Sequence, residues 1–380
     1  MLLAVDPFPT IGKLAEEVGA SWPLFQQTAA STEKTEKVLQ EVLQAQQVSG
    51  RLLDTDSSLV LCGSFARYEM DSGSDCDWTL LINGVVNNEH AKTARLISRT
   101  IKQAEDDKRG LIAPGTSGTF GNLAFSHNLV HLIGGGADSN ENLTRRVLLL
   151  LESRPLSLSS ADSSKQVWEA VLHSILERYF EEEVHFSLQR ARRVPRFLLN
   201  DLTRYWRTIT VDYAAKHREQ DGRKWAIRNA KLRFSRKLLY AASLGFCFDC
   251  ELDPPPHKGK AISSEYKVDD FINSAMEFAK TPPLEYLARF IDSHVKEENK
   301  RRAVIGDVFG SYNEWLTIIG NPDARSSLER LKPAEAGDDS CFKKVRDQSK
   351  QFSRGLKFLF FNRVSDTDPI ANLSLEYVGF

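Results

Sequence analysis

Between residues 62 and 77 the chain reads Cys-Gly-Ser-Phe-Ala-Arg-Tyr-Glu-Met-Asp-Ser-Gly-Ser-Asp-Cys-Asp. A Gly-Ser pair, Gly63 and Ser64, precedes two aspartates one residue apart, Asp75 and Asp77. In an extended chain, residues two apart share a face. The two carboxylates therefore point the same way and can hold a divalent metal between them. Gly63 and Ser64 sit where bare backbone and a hydroxyl can meet phosphates. An apolar run, Ser58 to Cys62, leads in, and Trp78 to Ile82 leads out. The spacing predicts strand, turn, short helix, then a strand with the two carboxylates on its first residues.

This stretch resembles the nucleotidyltransferase superfamily typified by DNA polymerase beta. The shared pattern is Gly63-Ser64, a spacer, then Ser74-Asp75 and Asp77. The spacer Phe65 to Glu69 looks most like the branch of bacterial protein nucleotidylyltransferases that modify glutamine synthetase and the PII protein. The resemblance spans roughly residues 58–156 and is specific around 63–77. It implies an α+β fold: a polymerase beta-like nucleotidyltransferase core, with a small mixed sheet and helices, plus a C-terminal all-α helical bundle.

Two metals bridging an in-line phosphoryl displacement need more than two carboxylates. Glu152 is the expected third. The run Val147 to Leu156 is a continuous apolar stretch, read as a buried central strand, with one acid near its end, followed by Arg154 and Pro155. In the resembling transferases the third acid, usually Asp, lies on such a strand two residues before an Arg. A helix end carrying a solvated Glu152 is the alternative. Asp138, in the turn-like Gly134-Gly135-Gly136 loop, ranks second. The resemblance then implies Asp75, Asp77 and Glu152 as catalytic and metal-binding residues, with Gly63, Ser64, Arg67 and Ser74 at the triphosphate. The cofactor is Mg²⁺, two ions, and the substrate is a nucleoside triphosphate, with ATP, UTP, CTP and GTP all open.

Residues 89–106 read as a helix. The small-residue loop 113–122 either closes over the nucleotide or is a plain connection. Arg145 and Arg146 read as a solvated helix face sooner than as triphosphate contacts. His127 and His131 have i, i+4 spacing but lack the acid of a His-Glu-x-x-His zinc site. Cys247 and Cys250 form a Cys-x-x-Cys with no second pair to complete a zinc site, so packed thiols are expected.

Stepping outward along the chain, residues 1–53 form N-terminal helices, 54–156 the core and 157–380 a helical domain. Expected helices cover 166–183, 195–217, 224–248, 269–279, 283–300 and 340–361, with a break at Asp253 to His257. Residues 186–240 hold fifteen Lys or Arg against four Asp or Glu, in a chain whose net charge is −1. Arg204 and Arg207 share a helical face with Asn200, and Arg233, Arg236 and Tyr240 another with Asn229. Tyr205, Trp206 and Trp225 are interleaved. The result is either a positive wall facing a triphosphate, an acidic protein or RNA, or a solvated face paired with Glu181 to Glu183 and later acids.

Hydrophobic content of 41% and charged content of 27% are those of a globular chain. No apolar run reaches membrane-spanning length, and the proline-broken N-terminus lacks a signal peptide's basic start. Five scattered cysteines suit a reducing cytoplasm. The sequence is thus read as a cytoplasmic Mg-dependent enzyme that transfers an NMP to an acceptor hydroxyl, a protein's in preference, releasing pyrophosphate. The alternatives are an RNA or small-molecule nucleotidyltransferase of toxin or defence type, and a catalytically inactive nucleotide-binding regulator. RNA stays open as a partner through residues 186–240, and no membrane is expected.

Overall fold

The computed structural model describes residues 6–46, 53–115, 120–159, 163–186, 194–219, 224–253, 268–363 and 368–378. In chain order the elements are α1 (Pro9–Val18), α2 (Pro23–Gln44), β1 (Ser57–Cys62), α3 (Gly63–Ala66), β2 (Trp78–Ile82), α4 (Asn88–Asp106), β3 (Asn122–Phe125), α5 (Ser126–Val130), α6 (Asn140–Leu151), β4 (Ser153–Pro155) and α7 (Ser164–Phe186). Then come α8 (Arg196–Glu219), α9 (Trp225–Lys231), α10 (Lys237–Leu252), α11 (Val268–Lys280), α12 (Pro283–His294), α13 (Glu298–Ile305), α14 (Ser311–Gly320), α15 (Pro322–Arg330), α16 (Ser340–Phe360) and α17 (Pro369–Tyr377). The class is α+β: mostly helix, with one small mixed sheet.

The chain forms two compact units. One joins Gln27–Phe186 to Glu265–Pro282, and the other joins Met1–Gln26, Ser187–Ser264 and Pro283–Phe380. The boundaries read from the sequence, near 53 and 156, are not where the units divide. The first helix belongs with the C-terminal helices, while α7 and α11 pack on each other in the sheet unit. A boundary is decided by which faces bury each other, and turn-rich composition does not report that.

The sheet runs β3-β2-β1-β4. β1 is antiparallel to β2 and β4, and β2 is parallel to β3. Leu59 and Leu61 face Leu80 and Trp78 across the ladder, and these four join Leu39, Leu43, Ile97 and Ile101 from α2 and α4 in one core. The opposite face carries Ser58, Val60 and Cys62 on β1 and Thr79 and Leu81 on β2, and α7 packs along β1. All six residues of β1 are buried, so both faces are covered and no polar alternation shows in its sequence.

The segment 147–156 corrects the strand reading. Val147 to Leu151 end α6, and only Ser153–Pro155 are strand, at an edge of the sheet rather than its centre. Ser139 caps α6 by accepting from the Asn142 amide at 3.1 Å. Seven residues between Leu143 and Leu151 are buried. A helix covered on most sides shows the same unbroken apolar run as a central strand.

In the helical unit the expected single helix over 224–248 is two helices joined by a π turn, Leu232–Arg236, and a second π turn, Gly306–Gly310, separates α13 from α14. The expected helix over 283–300 likewise divides into α12 and α13. The N-terminus of α1 has no side-chain cap of its own. Glu285 of α12, fully buried, accepts from the Thr10 hydroxyl at 2.6 Å and the Thr10 amide at 3.2 Å, which meets a helix N-terminus with negative charge. Arg301 clasps Glu17 at 2.6 Å and Asp292 at 2.7 Å. Cys247 and Cys250 are buried in α10 and form no disulfide, as packed thiols should be. Among the described residues no helix is long and apolar enough to cross a membrane.

Helix α16 lies so close to the second π turn that a Cβ on Gly355 would stand 2.8 Å from Asp307 Cβ and 3.2 Å from the Val308 amide nitrogen. Backbone on one side cannot step aside as a side-chain tip can. Gly355→Ala should therefore cost about 1–3 kcal/mol in urea unfolding, despite the higher helix propensity of Ala. A stabilised variant would show that the contact relaxes freely.

Candidate functional site

From Ser74 to Trp78 burial alternates: Ser74, Cys76 and Trp78 are buried, while Asp75, Asp77 and Thr79 are half-buried. The backbone is extended here although the strand begins only at Trp78. The Cys62 amide donates to the Asp77 carbonyl at 2.9 Å and the Cys76 amide to the Ile112 carbonyl at 2.8 Å. Asp75 and Asp77 thus share a face, as the period of two requires, on the side of Thr79 and Cys62. Asp75 makes no hydrogen bond or ion pair among the described residues.

Gly63 leaves β1 at φ +64°, and a Cβ there would stand 2.8 Å from Asp77 Oδ2. Two independent demands fall on this position: left-handed backbone, which disfavours side chains, and contact with a carboxylate. The helix α3 that follows ends on Tyr68 at φ +61°, a conformation that costs of order 1 kcal/mol for a residue with a Cβ. The Arg154 guanidinium lies over the Tyr68 ring at 4.7 Å and pairs with Glu36 at 2.7 Å, which holds that turn in place.

Arg67 is turned inward. Its guanidinium pairs with Glu69 at 2.8 Å and, very closely, with Glu152, and all three side chains are less than a tenth exposed. Arg67 is thereby engaged by protein carboxylates, and Glu152 is buried rather than solvated. Asp75, Asp77 and Glu152 do not form a group of three with ligand atoms within 4.8 Å of one another. The physical reason is local: Glu152 caps the end of α6 just before the edge strand, beside the turn that carries Arg67. On the other side of β2, Asn122 stands opposite Thr79, an amide rather than an acid.

The remaining expected phosphate contacts have internal partners. The Ser64 hydroxyl faces the Met70 sulfur at 3.4 Å. Ser74 closes a turn, its hydroxyl accepting from the Asp71 amide at 3.1 Å. Burial, then the charges of Asp77 and Glu152, push the Cys62 thiol well above the usual cysteine range, so both carboxylates bear on that one sulfur. A small cleft beside it is lined by Cys62, Thr79, Phe120, Ala124, Arg145 and Leu149.

Asp138 is a buried counter-ion to Arg146, which reaches it at 2.8 and 3.1 Å and donates to the Tyr179 hydroxyl at 2.8 Å. Arg146, read as solvated, is 1% exposed. Arg145 pairs with Glu141 at 2.8 Å. The rings of His127 and His131 lie tilted to each other with centroids 5.1 Å apart, and among the described residues they join no metal-sized group. One such group was not foreseen: Asp54, Asp56 and His90, with His90 Nε2 3.3 Å from Asp56 Oδ1. It lies at the opposite end of β1 from Asp77. His90 Nδ1 has no partner there, whereas a metal-bound imidazole normally donates its second N–H. Nothing in the spacing of 54, 56 and 90 announces the group.

Of the aromatics among the basic helices, Tyr205 is buried, Trp206 stacks on Tyr240 at 5.7 Å and Trp225 packs on Phe342 at 5.0 Å. They serve helix packing. The basic residues at 190, 192, 193 and 223, and the loop residues 116–119, lie outside the described residues.

Arg67→Met should destabilise the fold by about 3–5 kcal/mol at neutral pH, because Glu69 and Glu152 are left buried without their cation. Urea midpoints of both proteins at neutral pH test this, and an unchanged midpoint would mean the pair is not closed in solution.

Neither a protein-family model nor a curated protein matches this chain.

Proposed function

We propose that this chain is a metal-dependent nucleotidyltransferase whose catalytic carboxylates are Asp75 and Asp77. The observation that carries the reading is the close approach of Asp77 to Gly63, where a Cβ would stand 2.8 Å from a carboxylate oxygen. It brings the Gly-Ser turn and the Asp-x-Asp pair, eleven residues apart, to one point. A half-buried, unpaired Asp75 beside Asp77 fits a hard cation. Mg²⁺ held by these two would neutralise charge on a triphosphate and acidify an acceptor hydroxyl. A second ion needs a further carboxylate.

The protein's own contributions are positional. Gly63 admits no side chain between its backbone and Asp77. The Arg67–Glu152 pair and the Arg154–Tyr68 stack fix the turn that carries Ser64. Thr79 and Cys62 floor the face on which the carboxylates stand. The favoured acceptor, by the resemblance at residues 63–77, is a protein hydroxyl.

One observation favours a second reading, a nucleotide-binding regulator without turnover: Glu152 is ion-paired to Arg67. Incubation of the full chain with each α-³²P nucleoside triphosphate and Mg²⁺ in lysate, followed by protease or ribonuclease digestion, separates the two. Transfer of label to protein, lost by at least about 100-fold, or 2.7 kcal/mol of barrier, in both Asp75→Asn and Asp77→Asn, is the expected result. Triphosphate binding with no label transferred by the wild-type protein would establish the regulator instead.

A further inference from the structure

In the helical unit two cations stand side by side without an acid. Arg233 belongs to the π turn Leu232–Arg236, and Lys237 opens α10. Both are half-buried, and both reach across to α16. Arg233 Nη1 donates to Ser349 Oγ at 3.3 Å, and Lys237 Nζ to Ser353 Oγ at 2.7 Å. Each hydroxyl gives its own proton to an α16 carbonyl, Ser349 to Arg346 at 2.8 Å and Ser353 to Ser349 at 2.7 Å. Toward the cations, then, both serines are neutral acceptors, and they cancel no charge.

Among the described residues neither cation has a carboxylate partner. Elsewhere in the same unit cations that leave water are paired: Lys300 with Asp368 at 2.7 Å, and Arg301 with Glu17 and Asp292. On the α16 stripe of Ser349 and Ser353, Arg346 has a buried Nε without a hydrogen-bond partner and stands 3.9 Å from Asp347. Burial, then the charge of Arg233, hold the Lys237 pKa below the usual lysine value.

Like charges half out of water repel, and an anion relieves both the repulsion and the lost hydration. A guanidinium offers a planar fork to phosphate oxygens and an ammonium a point charge. A π turn within a helix recurs at such functional positions.

We propose that Arg233 and Lys237, floored by Ser349 and Ser353, form a binding site for the terminal phosphate of a small phosphorylated molecule. The recessed position of the cations suits a phosphate end rather than the side of a nucleic-acid strand. The neighbouring aromatics, packed on one another, offer no platform for stacked bases. The site stands independently of the reading of Asp75 and Asp77.

Calorimetric titration of the full chain with inorganic phosphate and with tripolyphosphate, at constant ionic strength set by chloride, tests it. Saturable binding is expected, tightest for tripolyphosphate and weakened at least about tenfold in Arg233→Gln and in Lys237→Met. It should be unchanged in Arg302→Gln, which alters an exposed residue paired to Glu298. Lys237→Met should also hold or raise the melting temperature, since it removes a repelled cation, whereas a purely structural lysine would lower it. Phosphate should raise the melting temperature of the wild-type protein, a readout that needs no variant. Heat signals that never saturate, equal binding by all three variants, or stronger binding of an RNA oligonucleotide lacking terminal phosphates would each overturn the proposal.

Discussion

Burial of one guanidinium between two glutamates constrains everything around the candidate site. A charge taken out of water is tolerated only when paired with good geometry, so Arg67 must meet Glu69 and Glu152 together. Glu69 is local, two residues along. Glu152 is not: it sits where α6 gives way to β4. The pair therefore ties the turn after β1 to the edge of the sheet, and β4 in turn pairs back onto β1 at Cys62. With both sides of the turn held, the left-handed residues Gly63 and Tyr68 are kept where an isolated chain would abandon them. The position of Gly63 against Asp77 follows from this enclosure.

The two units use charge differently. In the sheet unit the acids cluster: Asp75, Asp77, Glu69 and Glu152 lie about the end of β1, and the buried cation among them serves the fold. In the helical unit most charges are also structural. Glu285 meets the start of α1, and Arg301 joins α1 to α12 and the start of α13. Arg233 and Lys237 depart from that rule, because serine hydroxyls satisfy their hydrogen bonds without answering their charge. An unbalanced cation pair beside a π turn is a local cost that the surrounding packing sustains.

Short-range pattern was legible where one physical rule acts alone. The period of two put Asp75 and Asp77 on one face, and the structure has them there. The helix over 89–106 carries its own punctuation, with Asn87 accepting from the Glu89 amide at 3.0 Å. The Cys247 and Cys250 thiols are packed in an apolar helix. Where two rules predict the same letters, reading failed. The leucines at 148–151 suit a buried strand and a buried helix equally, and only the burial of α6 from several sides separates them. Arg146 has the composition of a solvated residue and the location of a core one, because Asp138 and Tyr179 supply partners from 8 and 33 residues away.

By itself, then, the sequence determined what depends on neighbours along the chain: the strand–turn–strand frame, the shared face of the two aspartates, and the mainly helical second half. Tertiary structure alone decided what depends on distant partners. It gave Glu152 to Arg67, Asp138 to Arg146, the first helix to the C-terminal bundle, and Ser349 and Ser353 to the cations of the π turn. Hydrogen-bonding and ionic groups act over a few ångströms and without regard to separation in sequence, so their pairing is written only when the chain has folded.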